Sequence, residues 1–360
     1  MSKLGLSIYP DISKNIEQDK TYLKKAYDSG FRRLFTNLLS VDEVALNSIK
    51  TINEYAKSLG YEVIVDVAPS VFETYGLTYN DLSFFKELHV DGLRLDEGFD
   101  GQKEAMMTYN DQLLKIEVNA SQDTKYVDNI LSYQAFRQNL ITCHNFYPQR
   151  YTGLSYEQFE KTSKAMQSHN LKVAAFVSSQ VENAFGPWPV NDGLCTLEMH
   201  RDLPLDLQVR HLYATRLVDD ILIANMYASD EELQMLHAIH PGRLTFKVNF
   251  NDSITEVEKE IVLNYKHFVR GDMSEFMARS TMPRIDYADA FIPAGNTPET
   301  LKRGDICILN EHYGRYKGEC HIILKDMHNE GKINVVGHLA DHEEILLDFI
   351  KPWQPFAIIE

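Results

Sequence analysis

The sequence predicts an α/β protein. An N-terminal TIM-type (β/α)8 barrel over residues 1–240 is followed by a small β-rich barrel or sandwich over residues 241–360. Three observations carry this. Short β-type runs alternate with helical patterns eight times before Pro241, the count and spacing of such a barrel. Neither G-x-G-x-x-G nor G-x-x-x-x-G-K-[ST] occurs, which disfavours the rival doubly wound sheet. Beyond Pro241 the rhythm stops. There "RLTFKVNFN" alternates as a strand, and "GDICILNEHYGRYKGECHIIL" reads as a hairpin around Tyr313–Gly318. A chain of 360 residues, 44% hydrophobic, supports two cores, since single cores stop growing near ~250–300 residues.

Each unit of the barrel can be justified in turn. Strand Leu4–Tyr9 precedes a helical pattern over Ile12–Ser29, and Arg33–Asn37 precedes Val41–Leu59. Glu62–Val67 leads to a helix over Tyr79–Leu88, and Gly92–Asp96 to one over Gln102–Thr108. Leu114–Asn119 precedes Thr124–Ala135, and Leu140–Asn145 precedes Tyr156–His169. In that sixth helix Phe159, Met166 and Leu171 recur on one face, Ser155 is a natural N-cap, and Gln158 would complete a capping box. Lys172–Val177 precedes Leu205–Thr215, and Asp220–Asn225 precedes Asp230–Ile239. After Pro241 a single helical stretch, Ile254–Val262, interrupts the strands.

In a barrel of this kind the chemistry sits at the C-terminal strand ends. Nearly every predicted strand ends in a polar side chain: Tyr9, Asn37, Asp66, Arg94 with Asp96, Glu117 with Asn119, His144 with Asn145 and Tyr147, and Asn225. Alternation places Arg94 and Asp96 on one face, as it does Glu117 and Asn119. Three carboxylates, Asp66, Asp96 and Glu117, are the candidate catalytic groups, because paired acids flanking a bond are what glycoside hydrolysis needs. The plain alternative is that each caps a helix or pairs with an Arg, and that His144 is a satisfied core histidine. For an anionic ligand the rim offers Arg150 and Arg201, with Arg279 in "FMARSTMPR" as a second basic island. Trp188 in "AFGPWPVNDG" is a candidate stacking platform.

Composition narrows the partners. A net charge of −16 disfavours nucleic acid and anionic membrane. The N-terminus shows no apolar signal core, and no run approaches a membrane span. Cys143, Cys195, Cys307 and Cys320 are scattered without a CxxC, which fits a cytoplasmic location. The His338-x3-His342 pair reads as polar sequence entering a helix, so neither metal nor cofactor is expected.

The motifs "GLRLDEGF", "IEVNAS", "CHNFYPQRYTGLS" and "DDILIAN" resemble those of a bacterial 6-phospho-N-acetylmuramidase (MupG-like) family, along essentially the whole chain. The resemblance implies a TIM barrel joined to a cyclophilin-like β-domain, acting in the cytoplasm in cell-wall recycling. It implies a small-molecule partner, a phosphorylated amino-sugar disaccharide: N-acetylmuramic acid 6-phosphate linked β-1,4 to N-acetylglucosamine. The family's catalytic residues do not map onto particular positions here, so the three carboxylates rest on the strand-end argument. Inverting, retaining and substrate-assisted hydrolysis stay open, as does oligomeric state. A sugar-phosphate isomerase, epimerase or aldolase, and a non-catalytic sugar-phosphate-binding protein, are the alternatives. No Lys stands at a predicted strand end for a Schiff base.

Overall fold

The computed structural model describes residues 2–38, 43–95, 97–190 and 192–360. Eight parallel strands close into a barrel in sequence order. They are β1 Lys3–Ser7, β2 Arg33–Asn37, β3 Glu62–Val67, β4 Gly92–Leu95, β5 Lys115–Asn119, β6 Leu140–Cys143, β7 Val173–Val177 and β8 Asp220–Ile223. β8 pairs back onto β1 from Lys3↔Asp220 to Leu6↔Ile223. Following the register once around the barrel returns to β1 displaced by eight residues, the shear of a (β/α)8 barrel. The strands form where β-branched and aromatic residues cluster, as in EVIVDV and VAAFV, and these runs are almost wholly buried.

Around the barrel run α1 Pro10–Ser13, α2 Ile16–Asp28, α3 Glu43–Leu59, α4 Pro69–Thr74, α5 Ser83–Glu87, α6 Gln102–Met107, α7 Tyr126–Ser132, α8 Tyr156–Ser168, α9 Leu205–Thr215 and α10 Asp230–Ala238. The single helix expected over Ile12–Ser29 is two. Lys14 takes a left-handed φ of 51°, and Asn15 caps α2 by accepting from the Gln18 N–H at 3.1 Å. The helix expected over Tyr79–Leu88 shortens to α5, and α4 appears before it. α4 starts at Pro69, whose missing N–H costs nothing at a first helical position. Ser155 does cap α8, accepting from the Gln158 N–H at 3.2 Å. The Gln158 side chain turns instead to the Ser121 carbonyl.

The chain divides into two compact units, residues 1–212 with 216–238 and residues 213–215 with 239–360. The second contains β9 Leu244–Phe250, β10 His267–Phe268, β11 Met277–Ser280, β12 Thr300–Leu301, β13 Asp305–Leu309, β14 Cys320–Ile323, β15 Met327–His328, β16 Ile333–Leu339 and β17 Pro355–Ile359. Seven of these form one mixed sheet, β10-β17-β9-β16-β13-β14-β11, and β12 pairs with β15. The sheet curls into a nearly closed barrel: past β10, the Arg270 N–H donates to the carbonyl of Arg279 in β11 at 2.8 Å. The hairpin read around Tyr313–Gly318 is β13 with β14, joined by a 3-10 segment over Glu311–Tyr316. Leu301, Cys307, Leu309, Ile323, Ile333 and Val335 form its apolar core. α11 Glu256–Asn264 begins with a capping box between Thr255 and Glu258, and α12 is Pro283–Asp286. Among the described residues no helix is long and apolar enough to cross a membrane.

Candidate active site

Charge fills the first barrel at three depths. At the N-terminal end Glu62 meets Lys3 at 2.6 Å and also Lys115. Burial pushes Glu62 up, but the two lysines outweigh it and hold the carboxyl at about 2. One storey higher, the buried Arg33 guanidinium reaches Asp220 at 2.9 Å and Glu117. At the mouth, Arg94 Nη1 donates to Asp66 Oδ1 at 2.6 Å and Nη2 donates to Asn145 Oδ1.

The mouth group lies in a cavity of about 230 Å³ lined by Phe35, Asn37, Asp66, Arg94, Asn145, Phe146, Pro148, Pro187 and Trp188. Phe146 packs edge-on against Phe35 and Phe176, with ring centroids 6.4 and 5.1 Å apart. These rings make an apolar wall beside the ion pair. Trp188 leaves 47% of its surface exposed, a free ring face at the rim. A second cavity, of about 240 Å³, is lined by Arg150, Ser179, Gln180, Asp192, Gly193, Arg201, Asp202 and Asn225, among others. The loops after β6 and β7 supply residues to both.

The sequence-predicted residues sort accordingly. Asp66, Arg94, Asn37, Asn145 and Trp188 converge on the mouth cavity. Asp96 lies outside the described residues. Glu117 does not reach the mouth: it faces into the barrel but is fully buried at the Arg33 storey. Registered neighbours in a tilted barrel do not share a height. Asp66, Arg94 and Glu117 are partners across β3, β4 and β5, so each step descends toward the floor.

His144 does not line either cavity. It is fully buried, bonded to Ser163 Oγ at 2.8 Å and packed on Phe159, and burial pushes its pKa down to about 3. Tyr9 is also buried, its hydroxyl donating to the Ala224 carbonyl at 2.6 Å. Burial pushes that hydroxyl's pKa up. Asn119 accepts from the Ser121 N–H at 2.7 Å, and Asn225 spends both ends of its amide on Ser179. Tyr147 is half-buried and outside both linings, its hydroxyl likewise pushed up by burial.

Arg150 and Arg201 reach the second cavity already engaged. Arg150 forks onto Asp202 at 2.7 and 2.9 Å. Arg201 binds Glu198 at 2.6 Å, holding that carboxyl at about 2, and donates to the carbonyls of Tyr147, Asp192 and Gly193. Arg201 is therefore a clamp on the loops, with little left for a ligand. Arg279 belongs to the second unit, 3.3 Å from Asp272.

Phe35, Phe146, Pro148 and Pro187 also line the mouth, although none is among the candidate residues read from the sequence. Phe35 was accessible by alternation between Arg33 and Asn37, but apolar strand residues look alike whichever way they point. The four cysteines are free and buried, and burial raises their pKa values, so none is a nucleophile in this state. Among the described residues no three metal-ligating side chains converge.

Comparison with known proteins gives a family. A solved structure of an uncharacterized B. cereus protein superposes with TM-score 0.93 and 47% identity, over 100% of this chain and 99% of that one. A conserved Enterococcus faecalis protein of unknown function superposes with TM-score 0.76 and 25% identity, over 99% and 96%. No functionally curated protein matches the chain. Residues 4–238 match the model described as 6-phospho-N-acetylmuramidase, N-terminal, and residues 244–359 match its C-terminal counterpart. The chain belongs to the 6-phospho-N-acetylmuramidase family, a family of glycosidases.

Proposed function

We propose that this glycosidase hydrolyses the β-1,4 bond between N-acetylmuramic acid 6-phosphate and N-acetylglucosamine, in cytoplasmic recycling of the cell wall. The observation that carries the reading is Asp66 at the barrel mouth, 2.6 Å from Arg94 and beside the aromatic wall of Phe146 and Trp188. A carboxylate held against a guanidinium is suited to steering charge or acting as base, not to giving up a proton. In this reading Asp66 stabilises the positive charge that develops on the sugar, or orients the 2-acetamido group as internal nucleophile. The proton donor is then a second acid, and Asp96, two residues beyond Arg94 in the sequence, is the proposed one. Glu117, expected to share this role, becomes the counter-ion of Arg33.

The cavities divide the substrate's demands. Trp188 and Phe146 offer faces to the sugar rings, while Asn37 and Asn145 offer amides to hydroxyl and acetamido groups. Arg94 is the cation nearest the reacting centre for the lactyl carboxylate. The polar second cavity, with Arg150, Ser179, Gln180 and the Gly193 backbone, is the proposed place for the phosphate. Schiff-base chemistry finds no support, because the interior lysines Lys3 and Lys115 are bound to Glu62 at the opposite end from the mouth. The deciding experiment is incubation with the phosphorylated and unphosphorylated disaccharides, products followed by mass spectrometry and anomers by NMR. Release of both sugars from the phosphorylated form supports the proposal. Isomerised sugar phosphate without bond cleavage would refute it.

A further inference from the structure

The second unit carries a groove of its own, of about 810 Å³ and well within the size of small-ligand sites. Tyr265, Phe268, Met282 and Trp353 line it, and Lys266 and Arg270 stand among them. Trp353 leaves 73% of its surface in water, Met282 55% and Phe268 54%. Grouped exposure of this kind marks binding surfaces, whereas scattered apolar residues do not.

Trp353 is also held in place. Its backbone has φ +63°, a left-handed conformation that is strained for a bulky residue. Its N–H donates to the Val269 carbonyl at 3.0 Å. The indole lies against Gly271, where any Cβ would overlap it. A strained backbone thus holds a large aromatic face open to solvent.

Charge narrows the ligand. Arg270 and Arg279 share one carboxylate, Asp272, and Lys266 has no ion-pair partner among the described residues. Within the lining two cations, Lys266 and Arg270, stand against one acid, Asp272, with Asp286 held on the Tyr265 hydroxyl, so the groove wall is net positive on a chain of net charge −16. Aromatic faces stack on the C–H faces of sugars, and ammonium and guanidinium groups hold phosphate or carboxylate.

We propose that this groove is a second carbohydrate site, for a sugar bearing a negative charge and stacked on Trp353. Its lining comes from the second unit alone, and the proposal does not depend on which bond the barrel cleaves. The chain has two tryptophans, Trp188 and Trp353, so Trp188→Phe leaves Trp353 as sole reporter. Full-length W188F is titrated with N-acetylglucosamine 6-phosphate, N-acetylglucosamine and inorganic phosphate while indole emission is recorded. The phosphorylated sugar should change the emission saturably, and Lys266→Glu should weaken that response at least about tenfold. Asp66→Asn added to W188F should leave the response intact, which separates failure here from failure of the proposed hydrolysis. No response up to millimolar sugar phosphate would overturn the proposal. So would an equal response to phosphate alone, or a shift from dimer to monomer on Trp353→Ala, which would show the groove covered by a second copy.

Discussion

Asp66 and Glu117 are both acids on inward-facing strand positions, yet substitution should separate them. Asp66→Asn keeps the shape but weakens the hold on Arg94 and removes the charge at the mouth. We expect kcat to fall about 10²–10⁴-fold with unchanged circular dichroism. Glu117→Gln removes one of the two buried carboxylates on Arg33 and leaves Asp220 alone to balance it, and losing a partner from a buried pair costs up to about 3–5 kcal/mol. The expected outcome is an early denaturant midpoint with near-normal turnover by the protein that stays folded. A folded, inactive E117Q would return Glu117 to the chemistry. The sequence shows that both acids point inward, because alternation is local. Height above the barrel floor is not local, since it depends on the stagger of every intervening strand. His144 was ambiguous for a related reason: its partners Ser121 and Ser163 lie 23 and 19 residues away.

At the level of elements, the barrel strands were legible because each is a short apolar run bounded by turns. Helix ends were less so. Lys14 interrupts a pattern that is otherwise continuous through Ile12–Ser29, and one left-handed residue leaves no mark on hydrophobic periodicity. α8 offers a clean test of capping, since only the Ser155 hydroxyl serves the Gln158 N–H. Ser155→Ala should lower unfolding free energy by about 1 kcal/mol, read as a shift in urea midpoint at constant slope. β4 makes the opposite point. A Cβ on Gly92 would approach Ile64 Cδ1 at 2.7 Å and the Lys115 carbonyl at 2.8 Å. Gly92→Ala should therefore destabilise the closed barrel by several times the S155A effect, measured in the same titration.

The whole molecule carries a pH signature. His144, His211 and His267 are pushed by burial to about 3, 4 and 4, below the ordinary 6.5. The unfolded chain binds their protons first, so stability is full above about 6.5 and declines as pH falls toward 4. Each contributes about 1.4 kcal/mol per pH unit inside that window. Glu62 adds the acid-side loss, its stabilisation fading from about 4.5 down to 2. Denaturant midpoints across pH 4–8 should trace this decline, and a flat profile would contradict the buried neutral imidazoles. Net charge predicts a second trend. A polyanion repels a phosphorylated sugar at long range, so kcat/KM should rise as salt increases from about 10 to 100 mM.

The stacked ion pairs beneath Arg94 have one more consequence. Arg33 and Glu117 are buried beneath the mouth cavity and close its floor, so a sugar enters and leaves from the mouth side. Whichever product sits deeper must wait for the outer one to leave. That ordered departure should appear as competitive inhibition by the deeper sugar and noncompetitive inhibition by the outer one.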